Sequence, residues 1–248
     1  MRNVDPQEWE ARCDLAAAYR LIAHFGMDDL IFTHLSMRIP GEGHRFLLNP
    51  YGYLFDEITA SSLVAVDPDG HAIESEEESK INNAGFTIHS AVHMSRDDAH
   101  CVMHTHTTAG MAVAAQEQGL LPLNQMSMEF YGRLAYHDYE GVAVDLDERE
   151  RLVRDLGTAK AMILKNHGLL TVGRTVAEAF YYMYYLEQAC RTQVAATQGG
   201  LKVSMPPPEV SEHTAAQFER FATQTPKGSR PWAALRRRLD RISPDYAT

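Results

Sequence analysis

Three histidines in two short segments give this sequence its metal-binding potential. His104 and His106 are separated by one residue in HCVMHTH, and His167 precedes Gly168 in LKNHGLLTV. HCVMHTH predicts a strand, and because side chains alternate between the two faces of a strand, His104 and His106 should point the same way. Two imidazoles define a metal site only weakly, so a third ligand is needed. His167 ends a predicted strand, and the glycine beside it permits a sharp turn with close backbone approach, so His167 is the best candidate.

Three neutral imidazole rings on one side of a divalent ion leave positions open for substrate oxygens. That arrangement is typical of a Lewis-acid catalyst and differs from the closed ligand shell of a structural zinc site. The alternative is that these histidines are ordinary buried polar residues, because neither His-x-His nor Asn-His-Gly is specific by itself.

The composition excludes several classes of partner. The chain has 248 residues, of which 45% are hydrophobic and 23% charged, as expected of a globular protein with a sizeable core. Its formal net charge of -10 argues against nucleic acid and against an anionic membrane surface, since both are bound by clustered lysine and arginine. The one dense basic run, Arg236 to Arg238, is interpreted as a solvated or intersubunit face. The expected partner is a small-molecule substrate.

The cysteines and the apolar segments indicate the compartment. The 3 cysteines are far apart and lack C-x-x-C spacing, which favours a reducing environment over a disulfide framework. No segment reaches the roughly 18 apolar residues of a membrane span, and the first residues lack the apolar stretch of a signal peptide. We therefore expect a cytoplasmic protein.

The elements that must position the histidines follow from the hydrophobic pattern. Helical spacing runs from Pro6 to Phe25 and ends at Gly26, and residues 30–50 predict a hairpin around the turn PGEG. A third β-like run, LVAVDPDG, closes on Asp-Gly. The acidic segment ESEEESK predicts an exposed loop, and AGFTIHSAVHMSR predicts a helix that leads into the His-x-His strand.

The second half of the chain predicts further strands and a long helix. TTAGMAVAAQEQG predicts a helix, while GVAVDLD and AMILKNHGLLTVG predict two or three strands around the helix DERERLVRDLG. Thr175 and Glu178 form a capping box ahead of the longest helix, whose aromatic residues indicate core or a subunit interface. The Gly- and Pro-rich residues 199–211 predict a linker. We therefore expect a main domain at 1–200, followed at 201–248 by the linker and a helical tail that docks on the main domain or on a neighbouring subunit.

In combination, these motifs resemble the class II aldolase and adducin family. The resemblance covers about residues 10 to 200 and is carried by FTHLSMRIPGEGHRFLLNPYGYLF, NNAGFTIHSAVHMSRDDAHCVMHTHTTAG, FYGRLAYHDYEG and MILKNHGLLTVGRTVAEAF, in that order. It implies an α/β fold with three layers, α/β/α, around a mostly antiparallel central sheet. It also implies a homotetramer with active sites between subunits, and a divalent metal held by His104, His106 and His167. Zinc is the expected metal, with manganese, cobalt or iron as alternatives.

The resemblance also shows departures from the sugar-phosphate aldolases of the family. Those enzymes have a glutamate at the position that aligns with Gly85, where it is a fourth metal ligand and the acid/base. Their phosphate-binding segments align here with residues that are poor anion ligands, namely Ile31, Tyr51 and Ala84. Gly52 and Asn83 can still donate backbone or amide hydrogen bonds and are the expected substrate-binding residues. A non-phosphorylated substrate is therefore expected.

Another residue must then move protons in place of the missing glutamate. Glu129 and Tyr131 lie downstream of the His-x-His strand, and His34 lies on a segment that matches a ligand-binding segment of the family. Each can exchange a proton near a metal if burial brings its pKa toward neutrality. The alternatives are a surface glutamate for Glu129 and a core tyrosine for Tyr131.

The leading functional hypothesis is a metal-dependent carbon-carbon lyase, either an aldolase on a hydroxy-carbonyl compound or a decarboxylase of a hydroxy or aromatic acid. Both reactions place negative charge on an enolate, which a chelated divalent ion stabilises. One alternative is an adducin-like binding module without turnover, although such a module needs no open metal site. Another is oxygen chemistry at a three-histidine iron site. Metal identity would discriminate among the three.

Overall fold

A seven-stranded sheet forms the centre of the protein, with the strand order β3-β2-β1-β4-β7-β6-β5. The structure, a computed structural model, describes residues 4–41, 43–73, 81–141 and 146–248. The strands are β1 (His34–Arg38), β2 (Phe46–Leu48), β3 (Val64–Val66), β4 (Cys101–Thr105), β5 (Leu134–His137), β6 (Ala161–Leu164) and β7 (Gly168–Gly173). Every pairing is antiparallel except that between β5 and β6, which is parallel.

Helices cover both faces of the sheet. They are α1 (Pro6–His24), α2 (Asn83–Ser95), α3 (Thr108–Ala114), α4 (Gln125–Glu129), α5 (Leu146–Leu156), α6 (Val176–Thr197), α7 (Pro208–Gln224) and α8 (Ser229–Ile242). Residues from α1, α3, α6 and α8 form one core with the sheet, and residues from α2 and α5 form the other cores on the opposite face. The predicted three-layer α/β/α fold with a mostly antiparallel sheet is confirmed.

The central strand β4 shows why the sheet has two buried faces. Cys101 and Met103 point into the core shared with α1 and α6, whereas Val102 points into the core shared with α2 and α5. By the same alternation, His104 lies on the α2 side. The strand pairs with β1 on one edge and with β7 on the other, so both edges of the histidine strand are fixed by residues distant in sequence.

The C-terminal helices pack on the face that α6 covers. Trp232 of α8 lies 5.5 Å from the Phe180 ring, centroid to centroid, and its indole N–H donates to Asp14 of α1. Arg236 also pairs with Asp14. The tail therefore contacts helices at both ends of the main segment of the chain.

Several predicted elements are confirmed, and one region differs. The helix before Gly26, the hairpin of β1 and β2 and the long α6 all form as the pattern predicted. The predicted His-x-His strand also forms, but it ends at Thr105 and leaves His106 one residue beyond it. Strand β5 and helix α4 were not predicted. The strand expected at 141–147 falls partly on 142–145, which lie outside the described residues, and the chain is helical from Leu146. The predicted acidic loop at 74–80 also lies outside them. No helix in the described part of the chain is long and apolar enough to cross a membrane.

Candidate metal centre

The end of β4 brings three histidines together, close to the last backbone pairs of that strand. They are His104, His106 and His167. Each offers one ring nitrogen, and these atoms all lie within 4.8 Å of one another. The Nε2 atoms of His104 and His106 are 2.9 Å apart, and the His167 ring lies 4.8 Å from both other rings, centroid to centroid. His106 lies one residue beyond the strand, so its backbone is free to turn the ring toward His167.

The turn between β6 and β7 delivers His167. Asn166 adopts a left-handed conformation with φ of 55°, and the chain then enters β7 at Gly168. A Cβ atom at Gly168 would lie 2.4 Å from the carbonyl oxygen of Thr105 and 3.1 Å from the His106 ring. The glycine therefore permits the close approach of the two strands that the predicted site required.

Hydrogen bonds from the Nδ1 atoms of His104 and His106 fix which nitrogen of each ring carries the proton. Nδ1 of His104 lies 2.9 Å from the carbonyl oxygen of Leu169, and Nδ1 of His106 lies 3.0 Å from a carboxylate oxygen of Asp29. Both oxygens accept, so both Nδ1 atoms donate, and in the neutral rings the lone pairs are on the Nε2 atoms. Two lone pairs facing each other at 2.9 Å repel unless a cation lies between them. This donor set therefore fits a divalent metal.

Burial keeps the rings of His104 and His167 in the form that binds metal. Desolvation, followed by the neighbouring imidazoles, lowers the pKa of His104 well below its ordinary value and that of His167 to about 4. A histidine must be neutral to coordinate a metal, so neither ring has to lose a proton when a metal binds near neutral pH.

A strained loop holds Asp29 against His106. Leu30 and Thr33 both adopt positive φ, 51° and 63°, and a hydrogen bond of 2.8 Å from the Phe32 N–H to the Asp29 carbonyl closes the turn. Non-glycine residues rarely adopt this conformation, and such strain concentrates at functional sites. Asp29 had no signal in the sequence, because its role depends on a loop geometry that the hydrophobic pattern does not encode.

His34 lies beside this cluster, as the register of the sheet requires. Its Cα is the pairing partner of His104, and the two rings are 5.5 Å apart, centroid to centroid. A Cβ atom at Gly85 would lie 2.0 Å from Nε2 of His34 and 1.9 Å from its Cδ2. The His34 ring therefore fills the space that any side chain at position 85 would enter.

His34 is also the first member of a buried chain of polar groups between β1 and α2. Nδ1 of His34 contacts Nε2 of His89, and the hydroxyl of Ser36 contacts Nδ1 of His89 and Nε2 of His93, at distances of 2.8, 2.5 and 2.7 Å. All four residues are at most 5% exposed. Burial is the main cause that lowers the pKa of His34 and of His93 to about 3. The sequence signals were His-x-Ser on a strand and histidines four apart on a helix, and we did not predict their contact.

The structure does not bring Glu129 or Tyr131 to the histidines within one chain. Glu129 lies in the layer of α6, where it pairs with Lys227 at 2.6 Å and accepts a hydrogen bond from the Tyr181 hydroxyl. Burial raises the pKa of Glu129, although Lys227 opposes the shift. Tyr131 follows α4 in a turn and is half-buried there. Both remain predictions, and only for a site shared with a neighbouring subunit.

The two expected substrate-binding residues have different surroundings. Gly52 is exposed, with φ of 94° and no atom within 4 Å of where a Cβ would lie, so its backbone is accessible. Asn83 is the first residue of α2, close in the chain to Gly85, but its side chain lies outside the described part of the structure. Both assignments stay predictions.

A larger cavity, of about 540 Å³, lies away from the histidines, between β5 and the C-terminal helices. Three cations line it, Arg133, Lys160 and Lys227, and each is paired with a carboxylate. Because each of these cations is already paired, an anionic ligand in this cavity would have to compete with the chain's own carboxylates.

Comparison with known proteins agrees with this fold. Residues 13–194 match the family model described as Class II Aldolase and Adducin N-terminal domain. A Caulobacter vibrioides protein whose name assigns it provisionally to aldolase class 2 is 52% identical, over 99% of this chain and 95% of its own. Alpha-adducin of Rattus norvegicus is 45% identical, over 79% of this chain but only 27% of its own.

Solved structures give the same answer. An aldolase II superfamily protein from Pseudomonas syringae superposes with a TM-score of 0.95 at 50% identity, covering 99% of this chain and 98% of its own. L-fuculose 1-phosphate aldolase from Glaciozyma antarctica PI12 superposes with a TM-score of 0.84 at 28% identity, covering 99% and 95%. This chain therefore belongs to the class II aldolase and adducin family, as the resemblance of its motifs indicated.

Proposed function

We propose that the chain is a divalent-metal-dependent carbon-carbon lyase that acts on a non-phosphorylated hydroxy-carbonyl compound or aromatic acid, by aldol cleavage or decarboxylation. The observation that carries the proposal is the convergence of His104, His106 and His167, with Nδ1 of the first two committed as donors. A scaffold protein gains nothing from buried lone pairs that face one another.

The three histidines would hold the metal, with zinc the first candidate and manganese, cobalt or iron the others. When bound, the cation supplies Lewis-acid stabilisation of negative charge on a substrate oxygen. Asp29 orients His106, and the Leu169 carbonyl orients His104, so the ligand atoms are in place before substrate arrives. His34 lies beside this set, its ring 5.5 Å from that of His104, and would be the group that exchanges a proton with substrate.

The rim of the site favours a substrate without phosphate. Leu30 and Phe32, which flank the turn at Asp29, are 67% and 45% exposed, and the ring of Tyr139 lies 6.4 Å from that of His167. Lys165, near His167 in the chain, is paired with Asp138 at 2.7 Å. Apolar and aromatic groups bind carbon skeletons well and bind phosphate poorly.

A second candidate is a binding module without turnover, and the 45% identity to alpha-adducin is the observation that favours it. We further propose a homotetramer with active sites between subunits, the arrangement that would bring Glu129 and Tyr131 of one chain to the site of another. Mass photometry of the purified chain measures this assembly directly.

The experiment that separates the two candidates is elemental analysis of protein purified without chelator. We expect about one transition metal ion per chain, retained in His100→Ala and lost in His106→Ala, since His100 is exposed and His106 is a ligand. The loaded protein should then release an aldehyde or carbon dioxide from a panel of hydroxy-carbonyl compounds and aromatic acids. Full metal occupancy in His106→Ala would contradict the site, and protein that takes up no zinc, manganese or iron would favour the binding module.

A further inference from the structure

The buried chain from His93 to His34 has only one consistent direction of hydrogen bonding, which can be followed from its inner end. Nδ1 of His93 lies 2.6 Å from the backbone carbonyl oxygen of Ala99. A carbonyl oxygen can only accept, so this Nδ1 carries a proton. His93 is 1% exposed, and the guanidinium group of Arg38 donates to the backbone carbonyl oxygen of His93. A second positive charge on the His93 ring is therefore disfavoured, and the ring is neutral. Its Nε2 is therefore an acceptor.

Ser36 transmits this direction to the next histidine. A serine hydroxyl has one proton, and the Nε2 of His93, 2.7 Å away, can only accept it. The hydroxyl oxygen must then accept from Nδ1 of His89, at 2.5 Å. Because His89 is fully buried, it carries a single ring proton, and its Nε2 is left as an acceptor.

The chain ends at His34. The Nε2 of His89 accepts from Nδ1 of His34 at 2.8 Å, so the proton of the neutral His34 ring is on Nδ1 and the lone pair is on Nε2. Among the residues that the structure describes, no group is hydrogen-bonded to this Nε2. The ring of His34 packs directly over Gly85, where a Cβ atom would lie only 2.0 Å from Nε2, so the glycine is what leaves room for the ring in this position.

We propose that His34 presents an acceptor-only Nε2 at the edge of the metal centre, and that this atom selects substrates with a hydroxyl or another hydrogen-bond donor next to their metal-chelating oxygens. Ser36, His89 and His93 are positioning residues, which act through the ring of His34. The selection of substrates rests on the proposed function. The location of the proton on His34 does not, because it follows from the hydrogen bonds of the chain itself.

The same lone pair disfavours anions. A carboxylate, or a phosphate group in its dianionic form, offers further lone pairs and no proton, so it would face Nε2 of His34 without a hydrogen bond. A hydroxyl group instead donates its proton to this atom. The selectivity of the site for neutral donor groups thus comes from a residue on β1, and from the direction in which its neighbours on α2 hold it.

Neutron diffraction from deuterium-exchanged crystals of the full metal-free chain tests the proposal directly. We expect a deuteron on Nδ1 of His34, none on its Nε2, and the hydroxyl deuteron of Ser36 directed at His93. A deuteron on Nε2 of His34 would overturn the proposal. This map is read without metal, substrate or turnover, so it decides the point even if the proposed lyase activity is wrong.

Binding of two small acids to the zinc-loaded chain tests the selectivity. Glycolate and methoxyacetate both chelate a metal, but only glycolate has a hydroxyl proton. Calorimetry gives the dissociation constant of methoxyacetate divided by that of glycolate. This ratio should fall by about 3- to 10-fold in His34→Ala and in Ser36→Ala, the range expected for one lost hydrogen bond. Ser211→Ala, which removes a buried hydroxyl of α7, should keep the wild-type ratio.

The comparison of ratios cancels the intrinsic difference between the two acids as zinc ligands. An unchanged ratio in His34→Ala would overturn the selectivity, because the variant lacks the acceptor. A reduced ratio in Ser211→Ala as well would also overturn it, because the effect would then not belong to this chain of residues. Failure of the wild-type protein to bind zinc, manganese, cobalt or iron would refute the proposed function alone, and the neutron map would still decide the protonation of His34.

Discussion

The contact between Gly85 and His34 predicts that even a single methyl group at position 85 destabilises the protein. The Cβ atom of Gly85→Ala would lie 1.9 and 2.0 Å from Cδ2 and Nε2 of His34, whereas carbon atoms in contact are about 3.5–4.0 Å apart. The ring cannot simply swing away, because it is 5% exposed and bound to His89. Either the ring or α2 must move.

The size of the effect follows from two opposing terms. Forcing an extra methyl group into a packed core costs about 1–3 kcal/mol, and replacing glycine by alanine within a helix recovers about 0.5–1 kcal/mol. The difference between the two terms is a net loss in the free energy of unfolding of about 0–2.5 kcal/mol. The middle of that range, about 1 kcal/mol, lowers the melting temperature of a chain of this length by about 2–4 °C. In a His34→Ala background, the cost of packing the methyl group disappears, and the gain from placing alanine in the helix remains.

Thermal and urea unfolding of four proteins measure this coupling: wild type, Gly85→Ala, His34→Ala and the double variant. We expect Gly85→Ala to destabilise wild type and to be neutral or stabilising in the His34→Ala background, with a coupling of about 2 kcal/mol. Gly85→Glu should likewise be tolerated only when His34 is small. The reasoning is refuted if Gly85→Ala raises the melting temperature of wild type, or lowers it equally in both backgrounds.

Three further predictions concern the surroundings of the site. Asp29→Ala should weaken zinc binding by about 10- to 100-fold in a chelator competition, since His106 loses its orienting carboxylate, while Asp28→Ala should not; equal losses would contradict the role of Asp29. The pKa of His93 is about 3 when folded, below its unfolded value, so the unfolded chain binds a proton that the native chain excludes as pH falls from about 6.5 toward 3, and stability is lost. His93→Phe should therefore reduce the decline in unfolding free energy between pH 6 and 4 by about 1.4 kcal/mol per pH unit relative to wild type, measured in urea; His100→Phe is the control, and an unchanged slope would argue against a buried neutral ring. Lys227→Ala should destabilise the protein by about 3 kcal/mol or more, because Glu129 is left charged with its side chain 4% exposed. Glu129→Leu with Lys227→Met should recover most of that loss, and failure to do so would assign Glu129 a role other than packing.

The sequence was sufficient to bring the three histidines together, because short-range rules apply to its parts, and their binding of a metal stays a prediction. The predicted strand forms and contains His104, although it ends at Thr105, one residue before His106. The glycine after His167 marks a close approach of two strands, since a Cβ atom there would lie 2.4 Å from the carbonyl oxygen of Thr105. The layered fold followed from the resemblance of the motifs. The long, amphipathic elements, such as α1 and α6, were also clear from their spacing alone.

The surroundings of the cluster were not predictable in the same way. Strand β5 is only 4 residues long and half-exposed at the sheet edge, so it lacks the alternation that marks a strand. The role of Asp29 depends on two left-handed residues, and that of Ser36 on the packing of α2 over β1. Glu129 was selected for its position in the chain, yet its carboxylate is held by Lys227, which lies 98 residues away. Such contacts are set by tertiary structure rather than by local sequence.

The position of β4 at the middle of the sheet has a consequence for how the protein folds. The three histidines come together when β4 pairs with β7, and His34 joins them when β4 pairs with β1; these pairings join residues such as His104 with Leu170, and His34 with His104. Contacts of such large sequence separation form late, because the entropy of closing long loops opposes them. Under the proposed function, a metal ion that binds only the assembled cluster would not guide the early steps, but it would stabilise the finished sheet by mass action. Metal occupancy would then be a property of the completely folded chain.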